Sequence, residues 1–174
     1  MKLSIVRMLS TLGVVMFLSA SGFAREAPKA DTKAAAPQVV ADFAVTLLDG
    51  KKFDAKSMRG KYLVVNYWAT WCRPCIKEMP EFQALANSRK DVALLGLAYE
   101  DTEEKELVAF LRKLKVSYPN AKVDVYGTPP VGAQAPRGLP TTYVFDPNGK
   151  FLKVFLGPVT AKEIVASFTP SPAG

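Results

Sequence analysis

The sequence contains no histidine, and Cys72 and Cys75 are its only cysteines. The absence of histidine excludes sites that use an imidazole as catalytic base or metal ligand. A zinc site usually needs four nitrogen or sulfur ligands, and two cysteines supply only half of such a set. The sequence therefore predicts no metal centre and no bound cofactor.

A clustered basic surface is also lacking. Lysine and arginine total 23 against 16 acidic residues, which gives a formal net charge of +7. The basic residues are scattered and are not interleaved with aromatic residues, whereas nucleic-acid binding usually shows a concentrated basic footprint. We therefore expect no nucleic-acid partner, and at most loose attraction to acidic partners or anionic lipid surfaces.

The N-terminal segment has the pattern of a targeting signal. Lys2 and Arg7 precede an uncharged run that ends at Ala24 in small residues, as in a secretory signal peptide. A membrane-spanning helix needs roughly 20 apolar residues, and this run is shorter and contains serine and glycine. We predict a cleaved signal peptide at 1–24, with an uncleaved anchor as the alternative. No cysteine lies near Ala24, which excludes a lipoprotein anchor.

Residues 25–41 are rich in alanine, proline and lysine and are predicted to form a flexible tether. If residues 1–24 stay attached, this segment tethers the protein to the membrane. The predicted localisation is the periplasm or the extracytoplasmic face of the membrane, where thiols tend to be oxidised. The folded domain is predicted at 42–170.

Strand-like and helix-like segments alternate through this domain. Strands are predicted at 43–47, 51–53, 62–68, 92–99, 122–126, 141–145 and 151–155. Helices are predicted at 73–87, from 102 onward, and from the Thr160 cap to 168. Pro80 should kink the first of them. This order predicts an α/β fold, a three-layer α/β/α sandwich with a mixed central sheet and an N-terminal β-hairpin.

The two cysteines lie between a predicted buried strand and a predicted helix. Partial positive charge at a helix N-terminus stabilises a thiolate, which is the nucleophile in disulfide exchange. Cys72 should be the exposed attacking sulfur, and Cys75, one turn later, can resolve a mixed disulfide. Pro74 suits the first turn of the helix. The alternative, an inert structural disulfide, would restrain the unfolded chain little because its loop is so small.

Three segments resemble the thioredoxin superfamily, and most closely its exported TlpA/ResA-like branch. They are residues 64–75 (VVNYWATWCRPC), 78–80 (EMP) and 138–142 (GLPTT). The resemblance covers 43–168 and implies a thioredoxin-like fold. Because the branch includes reductases of cytochrome c maturation, it also implies protein disulfide substrates, with apocytochrome c as the suggested class. A membrane thiol would donate the electrons.

The resemblance assigns a peptide-docking surface beside the dithiol. It implies a cis peptide bond before Pro140, which would leave backbone groups of Leu139 and Thr141 free to pair with a substrate. The alternative is an ordinary trans proline that opens a strand.

Neighbouring residues complete the predicted site. Trp71 should shape the docking surface together with Arg73 and Pro74, whereas Trp68 should belong to the core. The loop 127–137 is a further candidate lining of the groove, although it matches no motif.

Glu78 is the third candidate catalytic residue. In ResA-like proteins a glutamate at this motif position is implicated in acid–base control of the cysteines, and a partly buried carboxyl with a raised pKa suits that task. The alternative is a solvated helix residue paired with Lys77 or another neighbour. Asn66 stands where ordinary thioredoxins carry a buried aspartate, so the proton work falls to Glu78 or to water.

The predicted activity is thiol-disulfide oxidoreductase, most simply a reductase. An oxidase is the first alternative, because Arg73 can lower the pKa of a neighbouring thiol and oxidants owe their power to a stabilised thiolate. The second is a Cu(I)-binding dithiol, although related copper-delivery proteins add a histidine.

Overall fold

A computed structural model describes residues 41–131 and 135–168. The predicted signal peptide and nearly all of the predicted tether lie outside the described residues. So do 132–134 of the loop 127–137, and 169–170 at the predicted end of the domain. The domain boundaries therefore stay predictions.

The described chain begins with the predicted hairpin. Strands β1 (Ala44–Thr46) and β2 (Lys52–Asp54) are antiparallel. Their connection contains Gly50 with φ of 82°, a conformation that glycine adopts at no steric cost. A short 3-10 helix follows at Ala55–Met58.

Five further strands form one mixed sheet. They are β3 (Tyr62–Trp68), β4 (Val92–Ala98), β5 (Asn120–Lys122), β6 (Thr141–Phe145) and β7 (Phe151–Leu156). Their order is β5-β4-β3-β6-β7. Strands β3, β4 and β5 run parallel, and β6 is antiparallel to both of its neighbours. The centrally placed β3 leads directly to the two cysteines.

In the described part of the chain, three α-helices accompany the sheet: α1 (Arg73–Ser88), α2 (Glu104–Lys113) and α3 (Ala161–Ala166). Met79, Phe82 and Leu85 form the buried side of α1, as predicted, and Pro80 lies inside the helix. Thr160 caps α3, as predicted. Within the described ranges, no helix has the length and apolar character needed to cross a membrane.

The two faces of the sheet are covered differently. Leu63, Val65 and Tyr67 point to the face that packs against the hairpin and the 3-10 helix. Val64 and Trp68, which alternate with them along β3, pack in clusters that contain residues of all three α-helices. The predicted α/β class, mixed sheet and N-terminal hairpin are confirmed, and the site lies on the α-helical face.

The strand predicted at 122–126 is wrong, since β5 is Asn120–Lys122 and shares only Lys122 with the predicted range. The alternating apolar pattern does continue past Lys122. However, the Asp124 carboxylate accepts a hydrogen bond from the Tyr126 N–H at 2.8 Å. An aspartate that bonds the backbone two residues ahead forms a turn, and this turn follows the end of β5.

Candidate active site

The cysteines follow a tight turn at the end of β3. The Cys72 N–H donates to the Ala69 carbonyl at 3.1 Å, and Cys72 is the N-cap residue of α1. Thr70, inside the turn, donates from its N–H and its hydroxyl to the carboxylate of Glu100. Glu100 follows the end of β4 and was not among the predicted site residues.

Cys72 and Cys75 form a disulfide across the first turn of α1. The Cys75 N–H donates to the Cys72 sulfur at 3.3 Å, so the helix N-terminus bonds the sulfur that was predicted to attack. The expectation that Cys72 is exposed is wrong for this oxidised form, because only 4% of it is accessible. Cys75 is completely buried, so an incoming thiolate can reach only Cys72.

Exposed side chains flank the disulfide. Trp71 is 67% exposed beside Cys72, and Arg73 also faces solvent. Trp68 is fully buried, as predicted, and its indole N–H donates to Asn120 at 2.9 Å. Trp71 therefore has a surface to offer a partner, whereas Trp68 belongs to the core beneath the disulfide.

The peptide bond between Leu139 and Pro140 is cis, as the resemblance implied. Leu139 packs against the core cluster that contains both cysteines. Its backbone groups make no hydrogen bond to another described residue. The expectation of a free backbone is wrong for Thr141, because this residue pairs with Tyr67 and Leu156 inside the sheet. Only the Leu139 side of the proline is open to a peptide.

Glu78 is buried and not solvated, with 5% of its surface accessible. Asn66 donates its amide N–H to one carboxyl oxygen at 2.9 Å, and the Val159 N–H donates to the other at 3.2 Å. Burial raises the pKa of Glu78 to about 7, although both hydrogen bonds oppose the shift. The alternative of a solvated residue paired with Lys77 is therefore wrong, and the carboxyl can exchange a proton near neutral pH.

Two buried polar atoms near Glu78 have unused hydrogen-bonding capacity. Asn66 donates to both Glu78 and Thr142, but its carbonyl oxygen has no partner among the described residues. The Tyr118 hydroxyl is also buried without a described partner. Burial raises the pKa of Tyr118, and the charge of Glu78 raises it further, so the two side chains interact electrostatically.

A cavity of about 360 Å³ opens along the N-terminal half of α1, and neither cysteine is among the residues that line it. Arg73, Pro74 and Lys77 line it from α1, together with Glu78 and Val159. The predicted residues Arg73 and Pro74 thus share a cavity with the predicted acid–base residue. Among residues 41–131 and 135–168, no group of three or more candidate ligands could hold a metal ion.

Sequence reasoning missed Glu100 and Tyr118. Glu100 belongs to an acidic stretch that resembles an ordinary solvated helix start, and Tyr118 resembles an ordinary aromatic core residue. Both reach the site from segments distant in sequence, and no local pattern signals such a contact.

Comparisons with known proteins agree with this geometry. The model of the AhpC/TSA family matches residues 36–154. The thiol-disulfide oxidoreductase ResA of Bacillus cereus is 32% identical over 162 residues, which cover 92% of this chain and 90% of the relative. The thioredoxin-like protein YneN of Bacillus subtilis is 31% identical over 138 residues, covering 73% and 75% of the two chains.

A solved structure supports the fold. A thiol:disulfide interchange protein of the thioredoxin family from Chlorobium tepidum superposes with a TM-score of 0.62 at 24% identity, covering 77% of this chain and 95% of the other. The chain has a cysteine pair that can form a disulfide and a cis proline near it. Its relatives are thiol-disulfide oxidoreductases or thioredoxin-like proteins, and the geometry of the site fits that family. The chain belongs to the AhpC/TSA family and is a thioredoxin-like thiol-disulfide oxidoreductase related to ResA.

Proposed function

We propose that this protein reduces disulfides of exported proteins at the extracytoplasmic side of the membrane. The observation that carries the proposal is Glu78, a buried carboxyl with a pKa of about 7 that follows Cys75 by one turn of α1. During disulfide reduction, the buried thiol of Cys75 must lose its proton near neutral pH. Glu78 can accept this proton because its pKa lies near that pH. Export itself is inferred from the pattern of residues 1–24.

Reduction proceeds in two exchange steps. The Cys72 thiolate attacks one sulfur of the substrate disulfide, and the other substrate sulfur leaves as a thiolate that takes up a proton. Cys75 then gives its proton to the Glu78 carboxylate and attacks the Cys72 sulfur. The substrate sulfur displaced from Cys72 leaves as a thiolate and takes up a second proton, so the substrate is released as a dithiol that has received two electrons from the cysteine pair. A membrane thiol donor then restores the reduced form.

Substrate binding is assigned to the surface around the disulfide. The exposed indole of Trp71 offers an apolar contact on one side of Cys72. The backbone of Leu139, which makes no hydrogen bond to another described residue, offers hydrogen bonds to an extended peptide. Arg73 and Lys77 carry positive charge at the cavity, and Glu81 adds an acidic side chain to the same lining. Apocytochrome c, whose haem-binding cysteines must be free, is the proposed substrate class.

The first test is capture of the mixed disulfide. The full chain with Cys75→Ser should form covalent adducts through Cys72 in cell-envelope extracts, because no resolving thiol remains. The Cys72→Ser/Cys75→Ser variant is the matched control and should capture nothing. Identification of cytochrome c precursors or a membrane thiol donor by mass spectrometry supports the reductase, and a complete lack of adducts would exclude the exchange mechanism.

The second candidate is an oxidase, favoured by the Arg73 cation between the two cysteines. Equilibration of the pair with glutathione separates the two directions. A reductase should have a reduction potential far below the value of about −120 mV that is typical of a strong disulfide donor. A potential near that value would instead establish the oxidase.

A further inference from the structure

The carboxylate of Glu100 receives three hydrogen bonds. The Thr70 N–H donates to one oxygen at 2.7 Å, and the Thr70 hydroxyl donates to the other at 2.8 Å. The Thr102 hydroxyl donates to that second oxygen at 3.2 Å. Glu100 is 7% exposed, so these bonds are largely shielded from water.

Thr70 lies in the turn that delivers Cys72 to the helix. The Cys72 N–H closes this turn on the Ala69 carbonyl, while the Thr70 N–H points to Glu100. On the neighbouring strand, the Tyr99 N–H donates to the Trp68 carbonyl at 2.8 Å. Glu100 comes directly after Tyr99. Its bonds to Thr70 therefore continue the hydrogen bonding between the ends of β3 and β4 into the turn before Cys72.

Glu100 is a buried acidic side chain whose described partners are all hydrogen-bond donors. Among the described residues, Glu100 has no salt-bridge partner. The nearby Lys122 pairs with Asp101 at 3.5 Å. A buried carboxylate without a cationic partner depends on hydrogen bonds to offset its desolvation. All three described bonds come from threonines, two of them from the single residue that precedes Trp71.

We propose that Glu100 is a positioning residue for disulfide exchange. By holding Thr70, it fixes the turn so that the Cys72 sulfur lies at the N-terminus of α1 and Trp71 faces the partner. It acts through Thr70 and has no role in the chemistry of either sulfur. The proposal rests on thiol-disulfide exchange at Cys72 and is independent of the direction of electron flow.

Loss of this contact has a specific consequence. A looser turn lets Cys72 move away from the Cys75 N–H, which now donates to its sulfur at 3.3 Å. The thiolate then loses stabilisation by the helix N-terminus, so its pKa rises and exchange slows. A purely structural role would lower the stability of the fold without changing the pKa of Cys72.

The test compares Glu100→Ala with Glu100→Gln in the full chain. Glutamine can accept the Thr70 N–H with its carbonyl oxygen and donate to the Thr70 hydroxyl, so it keeps the contact without the charge. We expect Glu100→Ala to slow reaction with oxidised glutathione about tenfold, the effect of roughly one hydrogen bond on a barrier. It should also raise the pKa of Cys72, measured from the pH dependence of alkylation.

Glu100→Gln should stay within about twofold of the wild-type rate, which is less than the loss of one hydrogen bond would cause. Glu103→Ala, at an exposed residue that makes no side-chain capping bond, is the matched control and should equal the wild type. Equal rates for Glu100→Ala and the wild type, or equal loss in the alanine and glutamine variants, would overturn the positioning role. A wild-type protein that does not react with glutathione would overturn the proposed function instead.

Discussion

At the scale of single residues, two buried glutamates have different environments. Glu78 receives one hydrogen bond from Asn66 and one from a backbone N–H, and its pKa is raised to about 7. Glu100 receives three hydrogen bonds from two threonines. The environment of Glu78 suits a group that gains and loses a proton near neutral pH. The three bonds to Glu100 hold its side chain against Thr70 and Thr102. Burial raises the pKa of Glu78 against the effect of its donors, whereas the donors to Glu100 hold its carboxyl in place.

The raised pKa of Glu78 makes stability depend on pH. Because the folded protein favours the neutral carboxyl, this residue stabilises the fold fully below its unfolded pKa near 4.5, and the contribution is lost as pH rises through about 7. The shift corresponds to about 3 kcal/mol at about 1.4 kcal/mol per pH unit. Urea unfolding of the oxidised protein between pH 4 and pH 8 should show this decline.

Glu78→Gln supplies the reference for that experiment because glutamine does not titrate. As pH rises, the unfolding free energy of the wild type should fall relative to that of the variant. Parallel curves for the two proteins would show that Glu78 has an ordinary pKa in the folded state.

The buried hydroxyl of Tyr118 gives a second prediction. Because it has no described partner, removing it should eliminate a desolvation penalty. Tyr118→Phe should therefore raise the free energy of unfolding by about 1 kcal/mol. Denaturant unfolding at a fixed pH measures the change.

Tyr67→Phe is the matched control for Tyr118→Phe. The Tyr67 hydroxyl is also buried, but it donates to the Val131 carbonyl at 2.9 Å and accepts from the Val131 N–H at 3.2 Å. This variant should lose about 1–2 kcal/mol. A loss of similar size in both variants would mean that Tyr118 has a hydrogen-bond partner in solution.

At the scale of elements, the long periodic segments were predicted more accurately than the short strand β5. Strand β3 and helix α1 were predicted to within one residue at each end, because each shows its apolar pattern over several repeats. Strand β5 has only three residues, and its position depends on pairing with Gly96–Ala98 of β4. The cis bond at Pro140 was predictable from the family motif alone. Contacts such as Glu100 with Thr70 depend on how separate elements meet, which no local pattern encodes.

Gly96 shows how closely β4 and β5 approach at one point. A Cβ atom at this position would overlap the side chains of Asn120 and Trp68, which are hydrogen-bonded to each other. Gly96→Ala should therefore lower the free energy of unfolding by about 3 kcal/mol, through overpacking and the loss of that bond. Gly138→Ala, where the added methyl meets open space, should change it by less than about 0.5 kcal/mol. Similar losses at both glycines in urea unfolding would contradict this account.

At the scale of the whole molecule, folding and the redox state of the cysteine pair are linked. A disulfide that is stable relative to its dithiol makes the oxidised fold the more stable one, whereas a strong oxidant is most stable when reduced. The proposed reductase should therefore resist urea better with Cys72 and Cys75 bonded than with both reduced. The difference should follow the measured potential at about 1.4 kcal/mol for every 30 mV. Greater stability of the reduced form would favour the oxidase.

The open edge of strand β7 affects the tendency of the protein to aggregate at high concentration. Among the described residues β7 pairs only with β6, so its other edge offers unpaired backbone groups to a second molecule. Lys153 lies exposed near its centre. Antiparallel pairing of two copies through this edge would bring the two Lys153 ammonium groups together. Such charge repulsion commonly protects open sheet edges from pairing with another molecule. Concentrated solutions should therefore remain free of aggregates at low ionic strength and lose this protection as salt screens the charge.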